Sequence, residues 1–218
     1  MSEMRSAEAG QAVYSKFVLS IYDLYVHGLS NHLIWRCPTR RIIDHYNRHL
    51  SANHLDVGVG TGYFLDKCEF PQAEPSVALM DMNQNSLDAT AERIRRYQPQ
   101  CYRRNVLEPL GLDHKQFDSI GMNYLLHCLP GSMQDKAVVF DSLYAHLAPG
   151  GVLFGTTLVQ DGEAMGWAAR WLMETYNRKG IFTNRDDTVP VLEAILSSRF
   201  AEYTIERVGC AVLFSATK

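Results

Sequence analysis

His54-Leu55-Asp56-Val57-Gly58-Val59-Gly60-Thr61-Gly62-Tyr63 is the stretch whose reading decides the fold. A short apolar strand runs into three glycines spaced two apart, and a helix opens behind them. Glycines at such a turn permit positive φ angles and let a ligand approach the backbone closely. The helix N-terminus that follows presents unpaired N–H groups to anionic or polar ligand atoms. Taken alone, the pattern also reads as a tight strand-to-helix turn with no ligand.

The next elements decide between these readings. Residues 76–81, Ser-Val-Ala-Leu-Met-Asp, form a second apolar run, and its last residue, Asp81, lies 19 positions beyond Gly62. An acid at the end of the second strand can accept hydrogen bonds from both ribose hydroxyls of an adenosine-containing ligand. Loop and acid together therefore point to a nucleoside cofactor. A dinucleotide fits poorly: the G-x-G-x-x-G fingerprint wants its third glycine where Tyr63 stands, and no second nucleotide-binding half follows. No G-x-x-x-x-G-K-[ST] occurs, which sets triphosphate chemistry aside.

Outward from the loop, strands alternate with helices. Thr39 is placed to cap a helix with Ile42, Ile43, Tyr46 and Leu50 on one face. Asn85 is expected to cap a helix carrying Leu87, Ala91, Ile94 and Tyr97, followed by a weaker strand, Tyr102 to Val106. Phe117 to Tyr124 reads as a buried strand. Ser132 and Asp135 make a capping-box start to a helix with Val139, Phe140, Leu143 and Leu147 on its core face, which Pro149-Gly150-Gly151 ends. Val152 to Val159 is a further strand. A helix is expected from about Glu163 to Arg178, another around Leu192 and Leu196, and then strands Tyr203–Val208 and Cys210–Ala216 separated by Gly209. The expectation is one α/β domain over residues 1–218, a doubly wound, mostly parallel seven-stranded sheet with a C-terminal antiparallel hairpin. Its parts are a helical N-terminal cap (1–50), a cofactor-binding core (51–160), a substrate-cap insertion (161–200) and the terminal hairpin (201–218). Ligands of such sheets bind at the carboxyl ends of the strands.

Composition narrows the function. With 218 residues and a net charge of −3 the chain carries no basic surplus for neutralising phosphates, so no nucleic-acid partner is expected. No apolar run reaches the ~20 residues that span a bilayer, and Met1 to Ala12 lacks a signal-peptide pattern, so no membrane partner is expected. Five cysteines with no C-x-x-C spacing suggest a reduced, cytoplasmic setting and no zinc site. His45 and His49 are four apart but lack a third ligand.

Asp56 to Gly62 resembles the first motif of the class I S-adenosylmethionine-dependent methyltransferases, an acid followed by G-x-G-x-G. Four further stretches are similar to that family in the same order. Asp81 with Met82 and Asn83 matches the ribose-binding acid. Asn105-Val106 stands where an acid-plus-apolar pair contacts adenine, with Asn replacing the usual Asp. Asn123-Tyr124-Leu125 and His127 occupy the fourth-strand motif beside the methionine part. Leu147-Ala148-Pro149-Gly150-Gly151-Val152-Leu153 matches the turn before the fifth strand. The resemblance covers roughly residues 54–218. It implies a Rossmann-like methyltransferase fold, S-adenosyl-L-methionine as cofactor, S-adenosyl-L-homocysteine as product, and no metal, because the carboxylate cluster of catechol-type members is missing. It also implies that Asp56, Gly58, Gly60, Gly62, Asp81, Met82, Asn83, Asn105, Val106, Asn123 and Tyr124 hold the cofactor. N-terminal aromatics in this family lie over it, which points to Tyr14 and Tyr22.

In-line methyl displacement asks an enzyme chiefly to align three atoms and exclude water. A base helps only if the nucleophile must lose a proton. His127 is the first candidate base, with Tyr22 beside it, and His127 reads equally as a histidine that shapes the pocket. Trp167, Trp171, Tyr176 and Phe182 read either as a flat apolar substrate cap or as a helix core face. The expected reaction is N- or O-methylation of a small aromatic or amphipathic metabolite by a monomer or homodimer. A nicotinamide-dependent reductase and a non-catalytic cofactor-binding regulator are the alternatives.

Overall fold

Val77 and Leu79 pack on one face of the central sheet and Ala78 and Met80 on the other, because successive side chains of a strand point to opposite sides. A strand apolar on both faces needs cover on both, and helices supply it. The computed structural model describes residues 31, 33–112, 115–161 and 165–218. In chain order its helices and strands are α1 (Thr39–His49), β1 (Asn53–Val57), α2 (Tyr63–Lys67), β2 (Ser76–Asp81), α3 (Gln84–Arg93), β3 (Gln100–Arg103), β4 (Phe117–Asn123), α4 (Ala137–Ala145), β5 (Leu147–Leu158), α5 (Trp167–Arg178), α6 (Val189–Ser197), β6 (Glu202–Val208) and β7 (Ala211–Thr217). Single 3₁₀ turns follow α3 and β4.

The seven strands lie in the order β3-β2-β1-β4-β5-β7-β6. β1 through β5 pair in parallel, and β7 runs antiparallel between β5 and β6. This is the doubly wound, mostly parallel sheet with a terminal hairpin that the alternation of elements suggests. One core joins Leu55, Val57, Ile120 and Leu153 to Phe140 and Leu143 of α4 and Leu192 and Leu196 of α6. The other joins Val77, Leu79, Phe154 and Leu213 to Ile42 and Tyr46 of α1, Leu87 of α3 and Leu172 and Met173 of α5.

Several boundaries differ from the sequence expectation. Asn83, not Asn85, caps α3: its side-chain oxygen accepts the Asn85 N–H at 2.9 Å. Thr39 is the first residue of α1, behind Pro38, and its hydroxyl takes the Asn31 amide at 3.1 Å. The third strand lies at 100–103, not 102–106. Ser132 and Asp135 do form reciprocal hydrogen bonds, but in a turn ahead of α4. Leu147 belongs to β5, which runs through Pro149-Gly150-Gly151 while that segment also borders the chain end: the Gly150 N–H donates to Lys218 O. Helix α5 starts at Trp167, and Trp167 and Trp171 are 84% and 64% exposed, so they form no core face; the N-terminal aromatics with which a cap reading pairs them lie outside the described residues. Tyr176 and Phe182 do meet, with ring centroids 4.9 Å apart.

The segment between α5 and α6 is anchored by a buried ion pair. Lys136, just ahead of α4, is fully buried and donates to Asp187 Oδ2 at 2.8 Å and to Thr183 O at 2.9 Å. Removing one partner of such a pair leaves an uncompensated buried charge. Lys136→Met is expected to lower unfolding free energy by roughly 3–5 kcal/mol, read from the urea midpoint. Lys136→Met combined with Asp187→Leu should recover most of that loss.

Candidate functional site

Strand order reverses between β1 and β4, so the connections leave their carboxyl ends in opposite directions and a crevice opens there. The crevice opens to solvent and is lined by Tyr46, Asp56, residues 58–65, Asn123 and Tyr124. Gly58, Gly60 and Gly62 have φ of +72°, +56° and +70°. Gly62 caps α2 in the left-handed conformation, and a Cβ there would come within 2.7 Å of Thr90 Cγ2. A Cβ at Gly60 would meet nothing within 4 Å, so the floor of the loop is open to a ligand.

Two carboxylates flank the loop. Asp81 ends β2, half-buried, and accepts the Asn83 N–H at 2.8 Å. Burial pushes its carboxyl up to about 6, against the pull of the backbone amides of Asn83, Gly60 and Met82. Asp56 is buried in the penultimate position of β1, where Tyr46 Oη donates to its Oδ2 at 2.6 Å and His54 Nε2 stands 3.5 Å away. Burial, then the charge of Asp56, holds the Tyr46 phenol well above its ordinary value.

From β4, Asn123 accepts the Thr156 hydroxyl at 2.7 Å, while its amide nitrogen faces the Tyr46 hydroxyl without reaching hydrogen-bond geometry. Tyr124 has a φ of +53°, uncommon for a residue with a Cβ and a form of backbone strain that concentrates at functional sites. Its N–H donates to Thr156 O at 2.7 Å and its hydroxyl to Asn31 Oδ1 at 3.1 Å, which ties the segment before α1 to the cleft.

Asp56, Gly58, Gly60, Gly62, Asn123 and Tyr124 thus wall one cleft. Met82 and Asn83 follow Asp81, and Met82 O accepts Arg103 Nε at 3.2 Å. Asn105 is engaged locally: its oxygen takes the Leu107 N–H at 3.1 Å and its amide donates to Glu108. Val106 is buried in the core. Tyr14 and Tyr22 lie outside the described residues. His127 is 3% exposed and absent from the cleft wall; its Nδ1 accepts the Leu158 N–H at 3.3 Å, and its ring meets Phe182 and Tyr124 edge-on. Burial, aided by the charge of Lys136, holds it down to about 3, so it stays neutral. Among the described residues, no three His, Cys, Asp or Glu side chains gather as a metal site, and no helix is long and apolar enough to cross a membrane.

Two polar residues of the cleft region were not singled out by the sequence. Tyr46 reads there as one apolar position of α1, and His54 as part of a strand. The available signal was alternation: with Leu55 and Val57 facing one core, His54 and Asp56 must share the opposite face, toward α1.

A methyltransferase-domain family model matches residues 55–153. The chain is 42% identical over 207 residues to the demethylluteothin O-methyltransferase of Streptomyces thioluteus, covering 95% of this chain and 90% of that one. It is 33% identical over 186 residues to the N-methyltransferase vrtF of Penicillium aethiopicum, covering 84% and 77%. Among solved structures it superimposes on the N-methyltransferase NodS of Bradyrhizobium japonicum in complex with S-adenosyl-L-homocysteine, with a TM-score of 0.60 at 16% identity over 92% of this chain and 96% of that one.

Two buried histidines make stability depend on pH. His127 is held down to about 3 and His45 to about 4, both chiefly by burial, from an ordinary 6.5. The unfolded chain takes up these protons near pH 6.5 and the folded one does not, so their contribution is complete above 6.5 and is lost as pH falls toward 4 and 3. Raised Asp81 acts in the opposite sense between about 6 and 3.8. The urea midpoint should fall from pH 7 to pH 5. His127→Phe should remove about one proton's share of that slope, at most about 1.4 kcal/mol per pH unit.

Proposed function

Because the chain belongs to the class I S-adenosylmethionine-dependent methyltransferases, we propose that it transfers the methyl group of S-adenosyl-L-methionine to N or O of a small aromatic or amphipathic metabolite and releases S-adenosyl-L-homocysteine. The observation that carries this reading is the cleft at the strand-order reversal, with an open glycine floor, Asp56 in its wall, and Asp81 at the end of the neighbouring β2, where the Gly60 amide approaches its carboxyl. Relatives named as O- and N-methyltransferases support a small acceptor. The nicotinamide alternative loses its ground, since Tyr63 lines the cleft where a dinucleotide fold wants glycine.

When bound, the cofactor supplies a methyl group on a positively charged sulfur. Asp81 accepts from the ribose hydroxyls at the end of β2, the place where an acid serves adenosine ligands. The residues 58–62 bring backbone close to the ligand without a side chain in the way. Asp56 offers a negative charge on the far side, next to Asn123. Tyr124, fixed in its strained backbone conformation, closes the β4 side and excludes water from the reacting carbon. Of the two roles open to His127, the geometry favours shaping: its Nδ1 is occupied by Leu158 and its ring props Tyr124 and Phe182. Alignment and desolvation then supply most of the rate. Tyr14 and Tyr22 remain assigned to the cofactor end, and Asn105 with Val106 to the adenine end, by resemblance.

Calorimetry with S-adenosyl-L-homocysteine tests the reading, and absence of binding by the wild-type protein would sink it. Affinity should weaken as pH drops from 7 to 5, because a proton on Asp81 near pH 6 competes with the ribose hydroxyls. Asp81→Asn should weaken binding roughly tenfold or more at pH 7.5, the scale of hydrogen bonds to a charged group, and flatten the pH dependence.

A further inference from the structure

We propose that Tyr46 is a positioning residue for the cofactor: its hydroxyl turns the Asp56 carboxylate so that one oxygen is engaged inside the protein and the other is left to receive the α-ammonium group. The inference rests on the methyltransferase reading above.

The ring of Tyr46 is held on two sides. It stacks on Phe64 with centroids 5.4 Å apart and an interplanar angle of 17°, and it meets Phe154 edge-on at 5.2 Å. Its hydroxyl reaches Asp56 Oδ2 at 2.6 Å, a charge-assisted length. With the phenol held well above its ordinary value by burial, this donor keeps its proton throughout the physiological range.

A second group approaches the same oxygen. His54 Nε2 lies 3.5 Å from Asp56 Oδ2, and the ring is set from behind by Ser119 Oγ, 2.8 Å from Nδ1. Gly121 leaves room for the pair: a Cβ there would sit 3.2 Å from His54 Cε1 and 3.3 Å from Asp56 Oδ2. Oδ2 takes both internal contacts, and no described residue hydrogen-bonds the other oxygen.

The chemistry of that second oxygen selects its partner. The cofactor carries two cations, a sulfonium and an α-ammonium. A carboxylate oxygen is an acceptor, and only the ammonium has N–H bonds to donate. Asp56 lines the cleft beside Asn123, so the amino-acid end of the ligand belongs there and the ribose belongs at Asp81.

Tyr46→Phe keeps the ring and deletes the one donor. Two ligands separate positioning from packing: S-adenosyl-L-homocysteine carries the ammonium, and 5′-methylthioadenosine lacks it. The expected result is a roughly tenfold rise in Kd for S-adenosyl-L-homocysteine with 5′-methylthioadenosine unchanged within about twofold. Equal weakening of both ligands would make Tyr46 a packing residue and overturn the proposal, as would no change in either. Should Tyr46→Phe fail to fold, Asp56→Asn decides: selective loss of the homocysteine ligand supports the proposal, and unaltered preference overturns it. Wild-type protein that binds neither ligand would overturn the methyltransferase reading, and this inference with it.

Discussion

A parallel sheet wound in both directions from its middle has one place where neighbouring connections diverge, and everything at this site depends on that divergence. β1 sends its chain one way into the glycine loop, and β4 sends its chain the other way through Tyr124. No side chain has to be removed to make room, because the topology leaves the room open. The rest of the protein holds the two strand ends in register: five β1–β2 pairings on one side, and on the other a β4–β5 ladder that continues to Asn123 and Thr156.

Polar side chains in the layer beneath the cleft sharpen that arrangement. Tyr46, His54, Asp56 and Ser119 form a chain of contacts across the face of β1 and β4 that packs under α1, while Asn123 and Thr156 pair across β4 and β5. Buried polar groups of this kind are costly unless satisfied. Here most atoms have a partner; the exceptions are His54 Nε2, which stands 3.5 Å from Asp56 Oδ2 short of a hydrogen bond, and the Asn123 amide at the cleft itself. On the opposite side of the site, Lys136 and Asp187 perform a comparable task for the segment between α5 and α6, fixing the Thr183 carbonyl and hence the loop that carries Phe182.

The fold was legible because most of its strands are apolar runs separated by turn residues; β3, polar and largely exposed, is the exception, and its bounds were among those misplaced. Boundaries were less legible where two stop signals competed. Pro149-Gly150-Gly151 looks like a helix terminator, yet the chain has already left the helix at His146, and the segment pairs with the chain end instead. Asn83 and Asn85 are both acceptable caps in isolation, and the end of β2 at Asp81 chooses the earlier one. At the site, the backbone contributions were readable from glycine spacing, since φ is a local property. The buttress from Tyr46 was not, because it joins α1 to β1 through a side chain that periodicity reports only as buried. The core-face reading of the tryptophan pair on α5 failed for a related reason: spacing of four shows that Trp167 and Trp171 share a face, but not which way the face points.

That outward pair has a consequence for how such a protein can change. The glycine loop is held by its backbone and Asp56 is deeply buried, so alteration there disturbs the sheet. Trp167 and Trp171 stand in solvent on a helix whose inner face, Ala169, Leu172 and Met173, already satisfies the core. Among the described residues nothing packs on their side of α5, so a change at Trp167 or Trp171 leaves the core contacts of Ala169, Leu172 and Met173 untouched.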